Sequence, residues 1–294
     1  MPGDILATVL AIFWALASAL GYGASDYGAG LATRTASVIR VTILAEAASV
    51  LTLLLIAPWV STEFPSWPGV AWAAAAGLGG VTGAMALYLG FRHAAFSVAG
   101  PLSAVASAGF SVLAGLLFGE HPSTLALAGI ALALPAIVAV SASPGGEPGS
   151  GEPGHQAAGA LYGLVAGAGF AVLFIGLNRS GSRHDMWPPV IAQVIGLAAL
   201  GLVGAVGHQL KPPPRQAARL ALLAGVTGGA GTACYFIATH EGLLAITAVI
   251  TALYPGSTIL LARVLLGERL TRLRLAGLGL AAASVALIAV GGAG

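Results

Sequence analysis

Residues 141–156 read SASPGGEPGSGEPGHQ, a run of small, turn-forming and charged residues with nothing to bury. Such a composition belongs to a connector. It stands at the midpoint of a 294-residue chain, and the sequence changes character on both sides of it. Apolar runs of about 20 residues recur to either end, a length that crosses a bilayer. Hydrophobic residues make up 57% of the chain and charged ones 7%, against roughly 25% charged in a soluble domain. Mean hydropathy is +0.94. Lipid is therefore the solvent. A closed barrel also satisfies its backbone in lipid, but its strands alternate polar and apolar residues, whereas these runs are continuously apolar. The expectation is an all-α integral membrane protein.

Breaks at Pro, Gly and charge clusters delimit ten transmembrane helices at about 5–32, 37–60, 68–91, 96–118, 123–141, 157–178, 187–207, 216–239, 242–266 and 272–291. Five precede the connector and five follow it. The expected organisation is residues 1–141 as one five-helix repeat, 142–156 as linker and 157–294 as the second repeat. Met1-Pro2-Gly3-Asp4 carries no basic n-region, so the first apolar run is read as a retained helix. The 43 glycines show no three-residue period and suit close helix packing. Cys234 is the single cysteine and the six histidines are scattered, which leaves no disulfide and no cysteine metal cage. No cofactor is expected. A net charge of +2 gives no reason to expect nucleic acid. The partners are the lipid bilayer and a small-molecule substrate, and the chain is compatible with a monomer.

The halves answer each other in sequence. Gly80-Val81-Thr82-Gly83 is followed by Tyr88, His93, Ser103, Gly119-Glu120, Ser123 and Gly129. Gly225-Val226-Thr227-Gly228 is followed by Tyr235, His240, Thr251, Gly267-Glu268, Thr271 and Gly277. The offsets drift from 145 to 148 residues. Because five is odd, the second copy enters the membrane from the opposite side, and the repeats are inverted about a central cavity.

Leu117-Phe118-Gly119-Glu120-His121-Pro122-Ser123 and Leu265-Leu266-Gly267-Glu268-Arg269-Leu270-Thr271 resemble the signature that closes the fourth helix of each EamA repeat in the drug/metabolite transporter superfamily. Tyr254-Pro255 resembles that family's proline in the ninth helix, whereas Ser107 stands at the corresponding place in the first half. The resemblance covers essentially the whole chain at the level of fold and is uninformative about substrate. It implies a secondary active transporter, an exporter that is proton-coupled or facilitated. Such a protein moves a small polar or amphipathic metabolite or drug by alternating access across a prokaryotic plasma membrane. No Walker A sequence is present, so the chain itself has no ATP drive. A facilitative channel-like carrier and an intramembrane enzyme are the alternatives. No filter-like loop is legible. Gly23-Ala24-Ser25 only faintly resembles a serine-nucleophile turn.

An ionisable side chain in hydrocarbon costs about 2.5–3.5 kcal/mol on insertion scales, so each one inside a span needs a reason. Glu46 lies midway along the second helix, and its repeat-mate 147 residues on is Gln193. Asp26 lies in the first helix beside a stripe of Trp14, Ser18, Tyr22 and Ser25. Glu46 and Asp26 are the candidates for proton coupling, with a buried structural role as the alternative. The ninth helix carries Thr247, Thr251, Tyr254 and Thr258 on one face, and the fourth carries Ser103, Ser107 and Ser111. The resemblance places both faces on the central cavity, together with Tyr88 and Tyr235. Alternatively, the hydroxyls back-bond to their own helices and the tyrosines, like His93 and His240, sit at the membrane interface. The expected cavity set is thus Trp14, Tyr22, Ser25, Tyr88, Ser103, Ser107, Gln193, Tyr235, Thr247, Thr251 and Tyr254. Glu120 and Glu268 read as structural, each following a helix-ending glycine and preceding an N-cap residue, Ser123 or Thr271. Arg34, Arg40, Arg92, Lys211, Arg215, Arg219, Arg269, Arg272 and Arg274 flank one side, against Arg179 and Arg183 on the side of the termini. The positive-inside rule then puts the termini outside, whereas the resemblance implies cytoplasmic termini.

Overall fold

Apolar runs that must satisfy every backbone group internally become helices, and the computed structural model, which describes residues 2–60, 64–93, 96–141, 153–182, 185–266 and 271–292, contains helices and no strand among those residues. In chain order they are α1 (Pro2–Thr33), α2 (Val38–Val60), α3 (Trp67–His93), α4 (Phe96–Leu117), α5 (Thr124–Ser141), α6 (Pro153–Arg179), α7 (Trp187–Val206), α8 (Arg215–Glu241), α9 (Leu244–Thr251), α10 (Tyr254–Leu266) and α11 (Arg272–Gly292). Eight are long and apolar enough to cross a membrane, and α5 and the α9–α10 pair are shorter apolar segments. Residues 153–156, expected in the linker, open α6; the remaining linker positions, 142–152, lie outside the described residues, as does Glu268.

The ninth span differs from expectation, being two helices instead of one. Pro255 has no N–H to give to the carbonyl of Thr251, and its ring crowds that carbonyl. The chain responds with a tight turn in which Leu253 N–H donates to Ile250 O (3.1 Å) and Gly256 N–H to Leu253 O (2.9 Å). Ser107 spares α4 the same break, so the two repeats differ here.

Large aliphatic side chains such as Leu55 and Val264 face outward, while the interior is built largely of Ala, Gly and Ser. Apolar lipid gives Leu no reason to turn inward, and small residues let backbones touch. The helices pair by exchange between the halves. α1 lies along α8 as α6 lies along α3, and α2 meets α8 as α7 meets α3. α4 packs on α6 as α9 and α10 pack on α1. α2 against α7 and α5 against α11 are each paired with their own counterpart.

Glycine contacts give the register of this symmetry. A Cβ on Gly21 would lie 2.8 Å from Gly231 Cα, and one on Gly169 would lie 2.6 Å from Gly83 N. Gly28 abuts Leu220 O and Ala224, and Gly176 abuts Trp72 O and Ala76. Gly77 meets Ala192 O as Gly225 meets Ala45 O, and Gly80 meets Leu173 as Gly228 meets Ser25. Gly83 faces Phe170 and Ala166 O, and Gly231 faces Tyr22 and Ser18 O. In α1/α6 and α3/α8 all of these equivalents stand 148 residues apart, and α3 and α8 also begin and end at that offset. The sequence pairing of Gly80 with Gly225 is therefore one helical turn out. Gly77, Gly80 and Gly83 answer Gly225, Gly228 and Gly231, and a ladder with a three-residue step matches itself on the wrong rung.

Candidate functional site

Tyr22, Ser25 and Asp26 of α1 lie on one face over about one turn, as their spacing requires. They form one wall of a cavity between the repeats. The equivalent face of α6 supplies Phe170, Leu173 and Phe174 opposite. From α2 come Thr42, Ala45, Glu46 and Ser49, and from α7 comes Gln193. α3 and α8 contribute Gly80, Ala84 and Tyr88, and Ala224, Gly225, Gly228 and Thr232, while α10 contributes Tyr254. The glycines let the helices close around this cavity: a Cβ on Gly225 would run into Ala45 O, and one on Gly228 would lie 2.9 Å from Ser25 Oγ. The cavity measures about 90 Å³, which admits several waters and falls well short of the 300–1,000 Å³ of a drug-sized pocket.

The polar groups are mostly held. Tyr88 Oη donates to Asp26 Oδ1 at 3.4 Å. Tyr22 Oη and Thr232 Oγ1 share a hydrogen bond of 3.1 Å. Gln193 Nε2 donates to Ser49 Oγ at 2.6 Å, joining α7 to α2. Tyr254 Oη pairs with Ser103 Oγ at 3.0 Å. Glu46 is different: its Oε2 is enclosed and has no hydrogen-bond partner. Leaving a carboxyl oxygen unmatched costs on the order of a kcal/mol or more. Among the described residues no Lys, Arg or His lines the cavity.

Of the residues expected from sequence, Tyr22, Ser25, Asp26, Glu46, Tyr88, Gln193 and Tyr254 come together in the wall. Six others lie away from it. Trp14 packs at the edge of an apolar cluster, edge-on to Phe13 with ring centroids 5.3 Å apart. Ser103 stands behind Tyr254 as its hydrogen-bond partner. Ser107 and Thr247 bond back to their own helices, to Ala104 O at 3.0 Å and Leu243 O at 3.0 Å. Thr251 reaches across to Ala15 O at 3.5 Å. Tyr235 is fully buried, with its hydroxyl donating to Phe174 O at 3.2 Å and its ring 4.5 Å from that of Phe174. The helical register explains the divergence of the two tyrosines. Tyr88 is equivalent to Phe236 and Tyr235 to Leu87, and one residue along a helix turns a side chain by about 100°.

Thr42, Ser49, Thr232, Phe170 and Phe174 line the cavity without having been expected. Phe170 and Phe174 carried a usable signal, since they fall 148 residues after Tyr22 and Asp26. Glu120 lies outside the cavity and takes a structural part that sequence had only half indicated. Gly119, at φ +85°, turns the chain back after α4. The Glu120 carboxylate then accepts from Leu244 N–H (2.6 Å) and Ala245 N–H (2.9 Å), capping α9 in the other repeat. α9 has no side-chain cap of its own, its N-cap being Leu243. Ser123 accepts from Ala126 N–H at 3.2 Å, the local cap expected for α5. The side chain of His93 lies outside the described residues. His240 has its ring nitrogens 2.8 Å from Phe236 O and 3.2 Å from Gly181 O.

Three comparisons bear on this arrangement. Residues 157–290, the second repeat, match the EamA-like transporter family. A solved structure described as "Crystal structure of protein" is similar over 92% of this chain and 95% of its own, with a TM-score of 0.69 at 20% identity, a likeness of fold. No curated protein matches the sequence.

Proposed function

We propose that the chain, whose residues 157–290 match the EamA-like transporter family, is a membrane transporter of the drug/metabolite type and a secondary active one. It moves a small polar or amphipathic metabolite or drug by alternating access, in the exporting direction the resemblance implies. The cavity enclosed between the repeats carries this reading, because it draws its wall from both halves and contains two carboxyl groups at membrane depth. Exchange-symmetric packing supports it as well, since the same contacts can be remade with the repeats' roles reversed.

Asp26 and Glu46 are the proposed coupling groups, able to take and release a proton as access alternates. Tyr22, Ser25, Tyr88, Gln193 and Tyr254 are the proposed substrate contacts. Ser103 orients Tyr254 from behind. Residues 1–141 and 157–294 are the proposed functional halves, and the cell membrane is the proposed location. By the positive-inside rule the termini are outside; a cytoplasmic reporter that lights up when fused after Gly294 reverses that.

Flux into proteoliposomes is the test. A transporter shows saturation and counterflow of labelled substrate against unlabelled substrate on the other side. A channel-like carrier shows flux without counterflow, which would replace alternating access with a pore.

A further inference from the structure

Acceptors outnumber donors in the free hydrogen-bonding capacity of the cavity. Gln193 has committed one amide N–H to Ser49, leaving its second N–H and its carbonyl oxygen. Asp26 accepts one long bond from Tyr88 and keeps its second oxygen. Glu46 Oε2 is enclosed and unmatched. The hydroxyls of Tyr22, Tyr88 and Tyr254 are engaged with Thr232, Asp26 and Ser103. What remains is two carboxyl groups and an amide side chain, with the hydroxyls of Ser25 and Ser49 as the small neutral donors, walled by aromatic rings and with no basic side chain among the described lining residues.

We infer that the cavity binds a compact organic cation, a primary amine or similar donor-rich positive group carrying a small apolar body, with Glu46 and Asp26 as its counter-charges. An ammonium brings three donors and no acceptor, which complements a site whose charged groups are both acidic and whose acceptors are in excess. Charge-assisted bonds to carboxylates are about twice as strong as neutral ones, and ring faces add attraction for a desolvated cation. An anionic substrate would face two acidic groups and no side-chain cation among the described lining residues. This inference rests on the transporter reading of the same cavity and assigns it a substrate class.

The test uses the purified full chain and three compounds of one shape: benzylamine, phenylglycine and benzoate. A bound ligand raises the melting temperature by mass action. Benzylamine is expected to stabilise the wild-type chain, and benzoate to leave it unchanged. Half-saturation should weaken by about tenfold in Glu46→Gln and in Asp26→Asn, the loss of a charge-assisted bond. Size-exclusion profiles of both variants separate lost affinity from lost folding, and the wild-type series reads the ligand class without any variant. No shift with benzylamine, or an equal or larger shift with phenylglycine or benzoate, overturns the cation class. Counterflow in proteoliposomes with the same compounds keeps the two readings apart. Benzylamine binding without counterflow of any of them overturns transport and leaves the cation site, whereas counterflow of phenylglycine or benzoate without benzylamine binding does the reverse.

Discussion

Tyr22, Ser25 and Asp26 on α1 and Phe170, Leu173 and Phe174 on α6 occupy equivalent positions on facing walls of one cavity. The glycines behind them are matched too, Gly228 against Ser25 and Gly80 against Leu173. Backbone packing is thus shared by the two halves, while the chemistry on it is not. Glu46 against Gln193 repeats the pattern on α2 and α7. Two-fold packing of the backbone does not bring two-fold polarity with it, and the first repeat holds both carboxyl groups of the wall.

The sharpest way to break the shared half of this comparison is to add bulk where the repeats touch. Gly21→Leu and Gly169→Leu should each lose the monodisperse folded protein, because the first added carbon already meets backbone that cannot rotate away. Overpacking of that sort costs about 1–3 kcal/mol and sometimes more. Detergent-solubilised yield and thermal unfolding check it. A loss in one variant only would show that the two contacts are not equivalent.

Removing the cross-repeat cap should come next. Glu120→Ala leaves the Leu244 and Ala245 amides without their acceptor, at about 1–3 kcal/mol. Faster hydrogen exchange at the start of α9, with the rest of the protein little changed, is the expected signature. Unchanged exchange there would mean that the carboxylate does not hold α9.

Erasing the chemical difference tests the asymmetric half. Glu46→Gln makes α2 resemble α7, and should leave insertion intact while transport no longer responds to an imposed proton gradient. Persistence of that response would move coupling to Asp26 or away from both carboxyls. Gln193→Glu in the same background asks whether a carboxyl on the other repeat restores it.

The smallest effects belong to the two tyrosines. Tyr88→Phe removes the hydroxyl that Asp26 accepts from, and should change half-saturation for transport with a modest effect on stability. Tyr235→Phe removes a bond to the Phe174 carbonyl. Interhelical hydrogen bonds in membranes average about 0.6 kcal/mol, so a slight drop in melting temperature with unchanged flux is expected. Equal transport defects in both variants would contradict the placement of Tyr235 in the core.

How far the site was readable depended on the type of signal. Asp26 and Glu46 stood out because charge in an apolar run is expensive and therefore rare. The hydroxyl stripes were visible but ambiguous. Ser107 in α4 and Thr247 in α9 each belong to a hydroxyl stripe by spacing alone, yet each bonds back to its own helix. Phe170 and Phe174 carried no chemical signal, because a phenylalanine in a membrane helix has no cost to explain, and only their offset of 148 residues from Tyr22 and Asp26 pointed to them. The glycine ladder showed that a repeat exists and concealed its register, since a three-residue step is nearly one turn and keeps every glycine on the same face.

By itself the sequence determined the class of fold: scarcity of charge and span-length apolar runs require helices in lipid, and Gly, Tyr, His and Glu recurring at a near-constant offset pointed to a repeat. Pro255 likewise marked where a helix would be disturbed, by its missing N–H. Tertiary structure alone decided which faces meet. In a bilayer the lipid is as apolar as the core, so hydrophobicity does not sort inward from outward, and contact follows from shape, where a missing Cβ lets two backbones close.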